Sequence, residues 1–183
     1  MLRTRLATRA DAKELLAIYA PYVTDTTITF EYEVPTELEF EERIESTLKD
    51  YPYIVAETED GTIVGYAYAH RMRERRAYDW TVEASIYVDQ QARGLGTGRV
   101  LYTALEKELR AQNIVNMAVC VTGKNQNSVD FHEHLGYQKV GAFENFGFKF
   151  GQWIDVIWLQ KRISDPIEPQ QFIPYSQLIG VMH

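Results

Sequence analysis

The chain has 183 residues, 45% of them apolar and 25% charged, with a net charge of −7. That length suits one ordinary domain with a substantial core, and the mixture is that of a soluble globular protein rather than a disordered or fibrous one. The acidic balance excludes nucleic acid as the main partner, which would need a dense basic surface, and the apolar runs are too short to cross a bilayer.

The N-terminus, with Arg3 and Arg5 in an alternating pattern, lacks the apolar stretch of a signal peptide, so a cytoplasmic location is expected. Leu2 to Ala7 reads as a first strand. Thr8 with Asp11 resembles a capping arrangement for a helix whose stripe is Leu15, Leu16, Ile18 and Tyr19. Pro21 and the run from Val23 to Ile28 are expected to stop that helix, leaving a loop that reaches Phe30 and Glu31. A second helix starts near Pro35-Thr36 with Leu38, Ile44 and Leu48 on one side, and Tyr53–Glu57, Asp60-Gly61 and Ile63–Ala69 read as a hairpin.

Arg71 to Arg76 interrupts the pattern with four arginines and one glutamate. Thr81 to Val88 follows as a strand carrying Glu83, Ser85 and Tyr87 on one face. Val100, Leu101, Ala104, Leu105 and Leu109 give the next helix an apolar side. A strand at Val115–Val121, a helix from about Asn125 to Leu135 and strands near Tyr137–Asn145 and Lys149–Lys161 complete the series. Cys120 lies in the apolar run Met117–Val121 and reads as a buried, inert thiol. From Pro166 onward three prolines and few periodic apolar residues indicate an extended tail, so residues 1–165 form one domain and 166–183 a tail.

Between the strand ending Ile86-Tyr87-Val88 and the following helix stands Gln91-Ala92-Arg93-Gly94-Leu95-Gly96-Thr97-Gly98. Glycines at every second position let backbone N–H groups approach a ligand, and the helix adds its unpaired first-turn donors and positive dipole end, which suits a diphosphate. A P-loop would need Gly-Lys-Ser/Thr where Gly98-Arg99-Val100 stands, and a dinucleotide fingerprint would need a small residue at Arg99.

The stretch resembles the Gln/Arg-x-x-Gly-x-Gly/Ala turn of the GNAT N-acetyltransferase superfamily, filled by Gln91, Gly94 and Gly96. A second GNAT-like signature follows in the correct order: Asn125-x-x-Ser128, His132 and Leu135-Gly136-Tyr137. The resemblance implies an α/β fold with a mixed, mostly antiparallel central sheet of about seven strands, flanked by about four helices. It also implies acetyl-CoA held by Ile86, Tyr87, Val88, the turn Arg93, Gly94, Leu95, Gly96, Thr97, Gly98 and Arg99, and by Asn125 and Ser128. The segments Tyr78–Ser85 and Phe146–Val156 and the proline-bearing tail are similar to the phosphinothricin and methionine sulfoximine (sulfone) N-acetyltransferase branch. Glu83 and His132 match that branch's proposed catalytic residues, and Phe30, Arg73, Arg75 and Tyr78 match positions around its acceptor.

The chemistry asks for the same residue types. An amine must lose a proton before it attacks a thioester, and a half-buried strand carboxylate at Glu83 can take it. An imidazole at His132 can protonate the departing thiolate or act as the base itself, so the pair is left unassigned between acid and base. Arginines fit carboxylate and phosphinate geometry, pointing to a small anionic amino-acid analogue as acceptor. No metal-ligand spacing is present and no metal is expected. The alternatives are a GNAT enzyme acting on a polyamine or protein N-terminus, or a non-catalytic acyl-CoA sensor. The resemblance and the apolar tail residues Phe172, Ile173, Tyr175, Leu178 and Ile179 imply a homodimer.

Overall fold

A computed structural model describes residues 2–92, 94–165 and 167–180. In chain order the regular elements are β1 (Arg3–Leu6), α1 (Ala12–Asp25), α2 (Glu37–Asp50), β2 (Tyr53–Glu57), β3 (Ile63–Arg71), β4 (Thr81–Val88) and α3 (Thr97–Ala111). They continue with β5 (Asn116–Thr122), α4 (Gln126–His134), β6 (Gln138–Lys149), β7 (Gln152–Arg162) and α5 (Tyr175–Gly180). The strands form one seven-stranded sheet in the order β1-β2-β3-β4-β5-β7-β6. Every pairing is antiparallel except β4 with β5. That parallel pair needs a crossover, and α3 supplies it.

Alternation along the strands gives each face its own core. One face presents Tyr53, Val55 and Tyr66 to Leu15, Tyr19, Tyr22 and Val23 of α1 and Phe40 and Ile44 of α2. The other presents Ala67, Val82, Met117, Val119 and Leu159 to Leu101, Tyr102, Leu105 and Leu109 of α3 and Val129 of α4. Truncating any one of the fully buried leucines to alanine would cost about 2–5 kcal/mol.

Three local expectations are corrected. Pro21 lies inside α1 instead of ending it. Proline costs a helix roughly 3 kcal/mol, and five buried side chains of α1 from Leu15 to Val23 offset that through tertiary packing. In α2, Leu38 is exposed and Phe40 takes the core position with Ile44, while Thr36 and Glu39 form the capping box that starts the helix. The tail is not simply extended. It carries α5, Tyr175 is buried with its hydroxyl on Glu108, Phe172 packs on Tyr51, and Gln112 Nε2 donates to Ile173 O. Those aromatic residues are thus covered by their own chain.

The α1–α2 connection is pinned to the β6–β7 hairpin. Lys149 is buried, and its ammonium donates to the carbonyls of Val23 (2.7 Å), Thr26 (2.9 Å) and Thr29 (2.9 Å). Two of these lie at the C-terminal end of α1, where carbonyls lack helical partners and the dipole favours a cation. Phe30 lies over Gly147, where a Cβ would approach its ring to 2.3 Å, and the Tyr32 hydroxyl donates to Phe148 O. Lys149→Met leaves three carbonyls without this donor and should lower unfolding free energy by about 3 kcal/mol. Urea melts of the two proteins check this, and an unchanged midpoint would contradict the clasp.

Candidate functional site: a split in the sheet

The β4–β5 ladder is short. It runs Thr81↔Asn116, Val82↔Met117 and Glu83↔Ala118, and then stops. Beyond that point β4 stays with β3 as far as Gly65↔Val88, and β5 stays with β7 as far as Thr122↔Val156. Alternate backbone N–H and C=O groups of Ala84 to Val88 therefore face the gap without a β5 partner, which in a protein interior calls for another partner. The Tyr22 hydroxyl takes one of them, Val88 O.

A small cavity of about 60 Å³ occupies the split. It is lined by Ala84 and Ile86 from one alternation of β4 and by Ser85 and Tyr87 from the other. On β5 both parities contribute too, Val119 and Val121 with Cys120 and Thr122. A lining drawn from both faces means that the gap passes through the sheet.

On the α3–α4 side it meets a cleft of about 570 Å³. Ile86, Val88, Gly94, Gly96, Thr97, Gly98, Arg99, Asn125 and Ser128 all line this cleft. The glycines do different jobs. Gly94 (φ +84°) and Gly96 (φ +77°) hold left-handed backbone that places the N-terminus of α3 at the cleft. Gly98 makes room for α4 instead, because a Cβ there would lie 2.6 Å from the Phe131 ring. The first helical bond of α3 runs from Val100 N–H to Gly96 O, so the N–H groups of Thr97, Gly98 and Arg99 are the orphan donors that suit an anion. Thr97 Oγ1 in the cleft and Thr122 Oγ1 in the split are buried without a partner among the described residues. These unfilled donors fit a ligand with phosphate oxygens at one end and amides along its arm.

Not every expected cofactor residue lies there. Leu95 is exposed and outside the cleft lining. Tyr87 sends its ring into the α1 core, edge-on to Tyr19 at 4.8 Å, and meets the split beside Ser85. Arg93 lies outside the described residues. Asn125 caps α4 by accepting from Ser128 N at 3.3 Å, which leaves its amide NH2 free to donate. Tyr22, Asn127 and Phe131 also line the cleft and carry no motif by which the sequence could mark them.

Glu83 and His132 sit on opposite faces of the sheet. Glu83 lies on the α1–α2 face at the last rung of the β4–β5 ladder, half-buried, with His70 Nε2 4.0 Å from its carboxylate. His132 lies on the α3–α4 side, 2% exposed, among Tyr102, Phe131 and Tyr137. Its Nδ1–H donates to Ser128 O at 2.6 Å, and the Tyr102 hydroxyl donates to Nε2 at 3.0 Å. Burial holds its pKa below the ordinary histidine value, with the Ser128 bond opposing, so the neutral ring is the folded form. Through the split His132 and Tyr102 reach the same cavity as Cys120, whose thiol is raised to about 12, by desolvation first and then by the charge of Glu83. Cys120 is exposed to that opening rather than buried, because the departure of β4 uncovers it.

The acceptor residues do not converge on one pocket. Arg73, Arg75 and Tyr78 are exposed on the segment between β3 and β4, with Arg73 donating to Met72 O, while Phe30 is held against Gly147. His134 is exposed at the rim of the cleft, bonded to Asp130 O. No group of three or more metal-ligating side chains occurs among the described residues, and no helix among them is long and apolar enough to cross a membrane.

A mostly antiparallel sheet that splits at its one parallel pair, beside an anion-binding helix N-terminus, is an architecture shared with acetyltransferases, and the acetyltransferase (GNAT) domain model matches residues 4–158. This chain belongs to that family. It is 37% identical to a phosphinothricin N-acetyltransferase of Streptomyces viridochromogenes over 174 residues, which cover 95% of this chain and 94% of that protein. It is 34% identical to an L-methionine sulfoximine/L-methionine sulfone acetyltransferase of Pseudomonas aeruginosa, across 85% and 91% of the two chains. The crystal structure of a phosphinothricin acetyltransferase from Sinorhizobium meliloti in complex with acetyl-CoA superposes with a TM-score of 0.89 at 32% identity, covering 96% and 97% of the two chains. Within the family the chain is thus an acyltransferase of the phosphinothricin and methionine sulfoximine branch.

The lowered pKa of His132 sets a pH dependence. Its folded form resists protonation and its unfolded form does not, so as pH falls below about 6.5 the unfolded chain binds more protons and stability drops. Thermal melts between pH 7.5 and 5 should lose melting temperature more steeply for the wild type than for His132→Phe. Parallel slopes would show that this ring does not titrate against folding.

Proposed function

We propose that the protein transfers the acetyl group of acetyl-CoA to the primary amine of a small anionic amino-acid analogue, of the kind represented by phosphinothricin, methionine sulfoximine and methionine sulfone. Acetyl-CoA is the co-substrate and supplies an activated acyl thioester. The observation that carries the reading is the through-sheet split, with the α3 anion turn at one mouth and Glu83 on the last paired rung before the strands part. The turn from Gly94 to Arg99 holds diphosphate, with Arg93 contributing to it. Asn125 and Ser128 hold the arm, and Ile86 to Val88 contribute backbone groups along the gap.

The separation of the two catalytic candidates supports a division of labour between them. Glu83, on the face away from the coenzyme cleft, takes the proton from the incoming amine. His132 and the Tyr102 hydroxyl bonded to it stand on the sulfur side; with the ring neutral, the Tyr102 hydroxyl gives its proton to the departing thiolate and regains one from water, while His132 positions it. Phe30, clamped by the hairpin, contacts the acceptor, and Arg73, Arg75 and Tyr78, which lie apart from it on the exposed β3–β4 segment in the free protein, join it only once the acceptor is bound. The exposure of these arginines also favours a second reading, in which the acceptor is a protein N-terminus.

Following free thiol with phosphinothricin, L-methionine sulfone, spermidine and a peptide separates these readings. Turnover should be confined to the first two, and Glu83→Gln should lower kcat by roughly 10²–10⁴-fold, the usual contribution of a positioned base. Peptide-only turnover would establish the second reading, and turnover of none would leave an acyl-CoA sensor.

We further propose a homodimer, but through the β6–β7 hairpin rather than the self-covered tail. Phe143, Phe146, Phe148, Phe150 and Trp153 are 47–63% exposed there, with Phe143 stacked on Phe146 and Phe148 edge-on to Trp153. Five exposed aromatic side chains on one edge hairpin suit a second copy. The free, exposed thiol of Cys120 suits a reducing, cytoplasmic compartment. Sedimentation of the wild type should report a dimer and that of Phe146→Ser/Trp153→Ser a monomer; equal masses would remove the assignment.

A further inference from the structure

The proposed mechanism leaves the amine's proton on Glu83, and the carboxylate must lose it again before the next turnover. The register places one titratable residue directly across from it, His70↔Glu83 on β3 and β4. Both side chains project from the same face, and His70 Nε2 lies 4.0 Å from Glu83 Oε2. The other ring nitrogen, Nδ1, is 3.2 Å from Arg71 O. A carbonyl can only accept, so Nδ1 carries the hydrogen and Nε2 turns a bare lone pair toward the carboxylate. The His70 side chain is 43% exposed against 21% for Glu83, so the ring connects the half-buried carboxylate with water.

We propose that His70 is a positioning residue that relays the proton from Glu83 to solvent. This rests on the reading of Glu83 as the base. The amine N–H bond breaks as an O–H bond forms on Glu83. That proton then passes to His70 Nε2, restoring the carboxylate, and the imidazolium releases one proton to water. One proton leaves the amine, one reaches solvent, and no other bond changes. A 4.0 Å gap closes to hydrogen-bond length with about 1 Å of side-chain movement, a common difference between free and substrate-bound sites.

The charged and titratable neighbours are few and specific. Tyr68, two residues before His70, is 6.3 Å away ring to ring and feels Arg43 of α2 and Glu31 of the α1–α2 connection, which pair with each other at 2.8 Å. Cys120 approaches Glu83 from β5 with its thiol protonated. Arg71, next to His70, projects to the opposite face and pairs with Asp79 at 3.8 Å. With the nearby arginines paired to Glu31 and Asp79, His70 is the group placed to exchange a proton with Glu83.

The test compares His70→Gln, His70→Ala and Glu83→Gln with phosphinothricin and L-methionine sulfone as acceptors. His70→Gln should lower kcat about tenfold with KM for both substrates within twofold, and added imidazole should restore most of the turnover of His70→Ala but none of that of Glu83→Gln. His70→Gln at wild-type kcat, or no imidazole response, would overturn the relay while leaving Glu83 as base. Near-normal turnover of Glu83→Gln would instead remove the base and the relay with it. A readout that needs no turnover is the ¹⁵N spectrum of the wild-type His70 ring. The Nδ1–H form is expected, and an Nε2–H form would refute the relay outright, because no lone pair would face Glu83.

Discussion

The interaction on which the structure depends is the one β4 and β5 stop making. Each buried backbone group needs a partner, and a sheet normally supplies it from the next strand. Here the ladder ends after Glu83↔Ala118 because β4 follows β3 while β5 follows β7. The fold is therefore two half-sheets joined over three residue pairs, with a tyrosine-rich core against α1 and α2 on one face and a largely aliphatic core against α3 and α4 that runs across both halves on the other. The α3–α4 core spans the wedge and ties the two halves together where their ladder is missing.

Everything catalytic in the proposed reading follows from that wedge. It exposes unpaired backbone along β4, uncovers Cys120 and brings a cavity through to His132, which is otherwise sealed among aromatic rings. It also separates the two proton-handling groups by a layer of sheet, so that amine and thiolate would be served from different sides. His132, with both nitrogens bonded, is rigid and neutral, whereas Glu83 and His70 sit at a wetter edge where protons can leave. The difference is one of dielectric surroundings and not of residue type.

The proposed acceptor side is held by a different device. Lys149 reaches from the β6–β7 hairpin to three carbonyls around the end of α1, so the segment bearing Phe30 and Glu31 is fixed relative to the sheet. Burying an ammonium is costly, and burial does pull the Lys149 pKa down. The carbonyl bonds offset that cost and position a segment that lacks regular structure of its own. The same hairpin carries the exposed aromatic residues, so a second copy seated there, as proposed, would touch the element that pins Phe30.

Much of this was legible in the sequence, for local reasons. The glycine spacing after Ile86-Tyr87-Val88 encodes left-handed backbone, Thr8 with Asp11 encodes a cap, and alternation marks the strands, because each depends on neighbours within a few residues. The segment order and the two signatures were sufficient to indicate the family, the fold and an acetyl-CoA site. What tertiary structure alone decided depends on residues far apart in the chain. Pro21 remains helical because α1 is packed on a sheet, Gly98 lacks a side chain because Phe131 of α4 fills that space, and the tail covers itself through Tyr51, Glu108 and Gln112. Likewise Glu83 and His132 carry no local mark of lying on opposite faces, and His70 carries none of facing Glu83. Strand register and the direction in which two strands part are set by burial summed over the whole sheet, and no short stretch of sequence contains that sum.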